Sequence, residues 1–164
     1  MKAVSMKKSI GAQLGAQQGF TIIELIMVIV ILGILGAFAL PRFADLGADA
    51  REATLKGAVA AVRSASAISH SAQLAGSLAS NASVTLEGVA ITMIDGYPTA
   101  NAAGIFAAAQ LSADFDTSGG AATAGGVLTI RVAGAPTPAT CSFTYTAATT
   151  PGSPAFSVVD ASGC

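Results

Sequence analysis

Residues 20–40 read FTIIELIMVIVILGILGAFAL, and Thr21 and Glu24 are the only polar side chains in that run. At about 1.5 Å of rise per residue the run makes a helix of roughly 32 Å, matching the hydrocarbon core of a bilayer. It therefore reads as a membrane-spanning helix. Upstream, residues 1–19 (MKAVSMKKSIGAQLGAQQG) carry Lys2, Lys7 and Lys8 and no acid. That lysine bias places the N-terminus in the cytoplasm and everything beyond Leu40 outside. Two starts are open, Met1 and Met6, and the second gives a shorter leader with two lysines. An ordinary secretory signal has a shorter apolar stretch followed by a small-residue cleavage site. Here the stretch is longer and Gly19 precedes it. An uncleaved signal-anchor is the alternative.

Glu24 is the anomaly in this run. An acid near the start of a membrane helix is costly and, where it persists, usually functional. The simplest structural account is that it sits about 6 Å inside and reaches back to the headgroups. That account does not explain why a carboxylate occurs there at all.

The run Gly19-Phe20-Thr21-Ile22-Ile23-Glu24-Leu25 closely resembles the class III signal of type IV pilins and pseudopilins. The resemblance covers residues 17–45. It implies that a prepilin peptidase/N-methyltransferase cuts between Gly19 and Phe20 and methylates the new amino terminus of Phe20. It further implies that Glu24 meets the Phe20 amine of a neighbouring copy. An unpaired carboxylate deep in an apolar bundle is expensive, so such pairing selects one axial register. Gly33 and Pro41 fall where the family often has a glycine and a proline in the helix, and Gly36 lies between them. They are expected to kink the helix, pack it closely, or let it melt in the filament. Removing residues 1–19 leaves five basic against nine acidic side chains, a side-chain charge of −4.

Beyond Pro41 an apolar stripe runs through Phe43, Leu46, Ala50, Leu55, Val59 and Val62. It predicts that the helix continues as an amphipathic half over 41–75. Past Ala75 the composition turns to Gly, Ala, Ser and Thr with short alternating runs. Residues 84–94 are expected to form one strand, or two with a break at Gly88, and further strands are expected in 127–132, 140–146 and 156–159. Asp95-Gly96-Tyr97-Pro98 is expected to turn, 102–111 to form a short helix, and 118–126 to be a loop. The expected fold is α+β: a long N-terminal helix packed on an antiparallel β-sheet. The organisation is then a leader (1–19), a transmembrane and polymerisation helix (20–40), an amphipathic helix (41–75) and a β-rich head (76–164).

The two cysteines, Cys141 and Cys164, are expected to pair once the head is exported, closing a C-terminal region of the kind type IV pilins commonly carry. His70 is the single histidine and is expected to be solvated or interfacial. Asp114 and Asp116 read as a solvated turn rather than a metal site. No catalytic triad or nucleotide fingerprint is present, so neither an enzyme, a metal site nor a cofactor is expected. A net charge of −1 gives no reason to expect nucleic acid as the main partner.

The resemblance thus implies the major structural subunit of a type IV pilus, used for surface attachment and motility. Its partners would be membrane lipid before assembly, the prepilin peptidase, the inner-membrane assembly machinery, and other copies in a homopolymer. The precursor would be single-pass in the inner membrane and the product a pilus on the cell surface. Pairing of the N-terminal run with a later Asp95–Ala100 (DGYPTA) resembles mannose-sensitive haemagglutinin-type pilins. The competing readings are a pseudopilin of a type II secretion system and a monomeric binding module on a membrane anchor.

Overall fold

A computed structural model describes residues 19–164 of the chain; the leader lysines Lys2, Lys7 and Lys8, and both candidate starts, lie outside the described residues. The chain divides into two compact units, Met1–Pro41 and Arg42–Cys164. One helix, α1 (Ile22–Ala75), supplies residues to both.

In the first unit α1 begins after Gly19 and Phe20, which are exposed and non-helical. Its residues Ile22–Ala39 have a mean hydropathy of 2.8, and none of that stretch is buried. Eighteen residues of α-helix extend about 27 Å, enough to cross most of a hydrocarbon core. Large side chains such as Ile22 and Phe38 are 78% and 74% exposed. A water-soluble domain does not leave so large a continuous apolar surface open. The helical backbone runs on through Gly33, Gly36 and Pro41, so Pro41 does not terminate it.

In the second unit the helix becomes one-sided. Leu55, Ala58, Val62 and Ala65 are buried, a spacing of three and four residues that keeps them on one face. Helix α1 ends in a Schellman motif. Ser77 stands at positive φ (51°), the Leu78 N–H donates to the Gln73 carbonyl at 3.1 Å, and the Ser77 N–H donates to that of Leu74 at 3.0 Å. Those bonds satisfy carbonyls the helix leaves open. The buried amide of Gln73 then ties down the following loop, donating to the carbonyls of Ala79, Ser80 and Ala82.

Two short hairpins follow. Strands β1 (Val84–Leu86) and β2 (Val89–Ile91) pair antiparallel around Glu87 and Gly88. Strands β3 (Met93–Ile94) and β4 (Tyr97–Pro98) pair around Asp95 and Gly96. In both loops the two central residues have positive φ, which is what a two-residue type I′ turn demands. The four residues 95–98 therefore divide, with Asp95-Gly96 as the turn and Tyr97-Pro98 in a strand. Residues Ala102–Phe106 form a wide, π-type helical turn started by Asn101, whose side chain accepts the Gly104 N–H.

A four-stranded antiparallel sheet completes the unit, in the order β5 (Phe115–Gly119), β6 (Val127–Val132), β7 (Ser142–Thr146) and β8 (Ala155–Phe156). On β6 the buried residues are Leu128, Ile130 and Val132, the period-two pattern of a strand with one face in the core. They meet Leu55, Ala58 and Val62 of α1 and Phe143 and Tyr145 of β7 in one hydrophobic cluster. The α+β expectation thus holds, with the sheet packed on the amphipathic half of the helix.

Strand β5 departs from the sequence reading. The sequence places Asp114 and Asp116 in a turn and 118–126 in a loop; Asp114 does lie in a turn, but Asp116, Ser118 and Gly119 belong to the strand. There Asp116 pairs in register with Arg131 of β6, and their side chains form an ion pair at 2.6 Å. The loop is correspondingly shorter. Likewise Thr140 belongs to a short 3₁₀ turn, Pro138–Thr140, ahead of β7. Regular pairing in 156–159 stops at Phe156, followed by a single bridge between Asp160 and Ser142.

Candidate functional site

The N-terminus of α1 is built by Thr21 and Glu24. Thr21 precedes the first helical residue, and Glu24 lies three residues on. The Thr21 N–H donates to Glu24 Oε2 at 2.8 Å, and the Thr21 hydroxyl donates to the same oxygen at 2.7 Å. In return the Glu24 N–H donates to Thr21 Oγ1 at 3.3 Å. This is a capping box, in which two helix-terminal N–H groups find acceptors within the motif. The carboxylate also lies at the positive end of the helix dipole. The sequence reading overlooked this, although the signal was available: Thr-x-x-Glu directly ahead of an apolar run. Glu24 thus has a local structural reason to exist. Both Thr21 bonds fall on Oε2, and among the described residues Glu24 forms no ion pair.

Gly19 and Phe20 are accessible just ahead of this cap, and Phe20 is 93% exposed. A cut between them would leave the Thr21 N–H an amide and so keep the capping box whole. Gly33 and Gly36 border open space; a Cβ at either would meet nothing within 4 Å. Their small size therefore serves no packing inside a single copy.

At the other end of the chain Cys141 and Cys164 form a disulfide with Cα atoms 4.8 Å apart. Both are buried in the main core cluster. Arg51 of α1 donates from Nη1 to the Cys164 carbonyl at 2.7 Å, linking the bridge to the helix. Asp160 takes the N–H and hydroxyl of Ser162, and these bonds hold its carboxyl below the usual carboxylate range.

His70 is neither free nor catalytic in form. Its ring stacks on Tyr97 at 4.1 Å between centroids, and Nδ1 lies 2.7 Å from the Gly96 carbonyl. Because a carbonyl only accepts, Nδ1 carries the proton in this arrangement. This clasp holds the Asp95-Gly96 turn to the helix. Next to it the Tyr145 hydroxyl donates to the Pro98 carbonyl at 2.7 Å. Burial pushes that phenol up to about 12. Among the described residues no group of three or more metal-binding side chains comes together.

Residues 14–40 match the family described as the prokaryotic N-terminal methylation motif. The chain is 59% identical over 51 residues to the type IV narrow pilus major component PilA5 of Thermus thermophilus, covering 31% of this chain and 44% of that protein. It is 44% identical over 52 residues to the type IV major alpha-pilin of Moraxella bovis, covering 32% of this chain and 33% of that one. These matches support the type IV pilin family. The similarity to the two pilins spans less than half the length of either. No solved structure matches the chain. The methylation motif and the exposed apolar helix together fit a membrane-anchored pilin precursor and a surface pilus. The named relatives are pilus components, not enzymes.

Proposed function

We propose that this chain is the precursor of the major structural subunit of a type IV pilus of the mannose-sensitive haemagglutinin type. In this reading the chain is cut between Gly19 and Phe20, and the new amine of Phe20 is methylated. The subunit is stored in the inner membrane through residues 20–40 and then moved by the assembly machinery into a filament of identical copies. Bilayer and helical bundle are both apolar, so the transfer exposes none of that helix to water. The observation that carries the reading is the unburied apolar stretch Ile22–Ala39 entered by a capped acid. One oxygen of Glu24 holds Thr21, and its charge is left to pair with the Phe20 amine of a neighbour, fixing the axial register.

Gly33, Gly36 and Pro41 are the weak points at which the helix adapts on packing. Gly33 and Gly36 have no packing role within one copy, which supports a role between copies. The disulfide-bounded region up to Cys164 is the face turned to surroundings, in keeping with attachment and motility. The direct test is electron microscopy of cells lacking this protein. Loss of long surface filaments is expected, together with their return on complementation. Unchanged filaments in the mutant, together with a secretion defect, would reject the pilus.

A further inference from the structure

A groove of about 400 Å³ opens on one flank of α1 in the second unit. Its lining includes Ala61, Ala65 and Ile68 of the helix, Leu86 of β1, and the polar pair Glu87 and Gln110. Gln110 donates to Glu87 Oε2 at 2.7 Å, which holds that polar edge together. Ile68 is 58% exposed there, an apolar side chain without a cover. Among the described residues Glu87 has no cationic partner.

The opposite flank of the same helix has a matching projection. Arg63 stands about 160° around the helix from Ala61 and about 140° from Ile68, at about 100° per residue. Its guanidinium lies 5.1 Å above the Phe156 ring and, among the described residues, has no carboxylate partner. Two residues past Phe156, Val158 is 89% exposed. The neighbouring cation on this flank, Lys56, is already neutralised by Glu52. One flank therefore carries a guanidinium without a carboxylate partner over Phe156, with an exposed valine two residues along the chain from that ring; the other carries an apolar groove beside a carboxylate without a cation.

We propose that the occupant of the groove is a second copy of this chain. Val158 seats over Ala61 and Ile68 of its neighbour, and Arg63 faces the neighbour's Glu87. Knob and groove lie on different flanks of one molecule, so the contact is head-to-tail; such contacts build rings or open filaments, and on the filament reading this one propagates. Opposite charges at the polar edge steer and register the approach, while the apolar contact supplies the burial. This inference rests on the filament reading and specifies which surfaces of the heads touch within it.

The test uses the full chain in cells, with filament yield measured by shearing and quantitative immunoblotting. Arg63→Glu and Glu87→Arg are each expected to lower yield at least five-fold, because the like-charge clash recurs at every interface. The double variant R63E/E87R restores the pair and is expected to return yield to within two-fold of wild type. In a second arm, Ala61→Cys and Val158→Cys are combined in one chain and sheared filaments are oxidised. A reduction-sensitive ladder of multimers is expected, and neither single variant should give one. Normal filaments without a ladder, an adduct to a different protein, or a double swap no better than its parents would overturn the head contact and leave the filament standing. Absence of any filament from wild-type cells would overturn both readings.

Discussion

Thr21 and Glu24 hold each other at the mouth of the apolar helix, with the Thr21 N–H and hydroxyl both on one carboxylate oxygen. The acid that makes this segment an odd membrane span is the same group that finishes its first turn. Cap and charge can be separated by mutation. Thr21→Val removes the hydroxyl from the cap and keeps the charge; its cost is about 1 kcal/mol of local helix stability, and filament yield should fall less than three-fold. Glu24→Val removes both and should leave the protein membrane-inserted with yield reduced more than ten-fold. Glu24→Gln keeps an acceptor for Thr21 and should still resemble the valine variant. Sheared-filament yield beside membrane fractionation measures all three, and a Gln variant assembling like wild type would assign Glu24 to capping alone.

Tyr145 joins β7 to β4 through the Pro98 carbonyl. Tyr145→Phe leaves that carbonyl without its donor in a buried setting, at a cost of about 2 kcal/mol. The urea midpoint of detergent-solubilised protein, followed by circular dichroism, should fall accordingly, with the slope of the transition unchanged.

The same phenol predicts a response to alkali. Burial raises it from its ordinary 10 to about 12 in the folded state. The folded head thus keeps a proton that the unfolded chain loses first. Its contribution is fully present below pH 10 and is lost as pH rises through 12. Wild type should therefore lose more stability than Tyr145→Phe between pH 10 and pH 12. Parallel denaturation curves at the two pH values check this, and identical losses would show that the phenol is not the responsible group.

The Cys141–Cys164 bridge closes a stretch with a sequence separation of 23 residues, which on chain entropy stabilises by about 3.5 kcal/mol. Cys164→Ser should lower the urea midpoint by a matching amount. Arg51→Ala, which only removes the donor to the Cys164 carbonyl, should cost about 1–2 kcal/mol. Introduced into the Cys164→Ser variant, it should cost less than in wild type, because the segment it grips is already loosened.

Gly163 is a narrower test. A Cβ there would run into Thr140 Oγ1 and the Thr137 carbonyl, groups that the bridge and the bonds Gly163 N–H to Thr140 O and Thr137 N–H to Gly163 O hold in place. Gly163→Ala should thus destabilise the C-terminal clasp with the disulfide still formed, read as faster hydrogen exchange confined to residues near 137–141 and 160–164.

Much of this structure was legible from local pattern. Phe20–Leu40 was apolar for a bilayer's thickness, and the helix's end near Ala75 was marked by the change of composition. Strand 127–132 alternated cleanly and came out with the expected bounds. Strand β5 did not announce itself, because Asp114, Asp116, Ser118 and Gly119 are turn-favouring residues. Phe115–Gly119 becomes a strand only because β6 lies alongside, with Arg131 to receive Asp116, while Asp114 stays in the turn ahead of it. That partner is 15 residues away, and pairing across such a gap overrides local propensity. His70 was hidden for the same reason: its partner Tyr97 is brought up by a turn, which no helical spacing reveals. The capping box is a local signal, spelled out by the four residues Thr21–Glu24 directly ahead of the apolar run.

The stack of His70 on Tyr97 also makes the chain its own optical reporter. There is no tryptophan, and Tyr97 and Tyr145 are its two tyrosines. One ring is sealed in the core against Phe156, and the other lies face to face with an imidazole on the hairpin that follows the helix. Ultraviolet emission from this protein therefore comes from two positions in different surroundings. Tyr97→Phe silences the hairpin signal and Tyr145→Phe the core signal. Opening of the hairpin and melting of the sheet can then be timed separately in unlabelled protein.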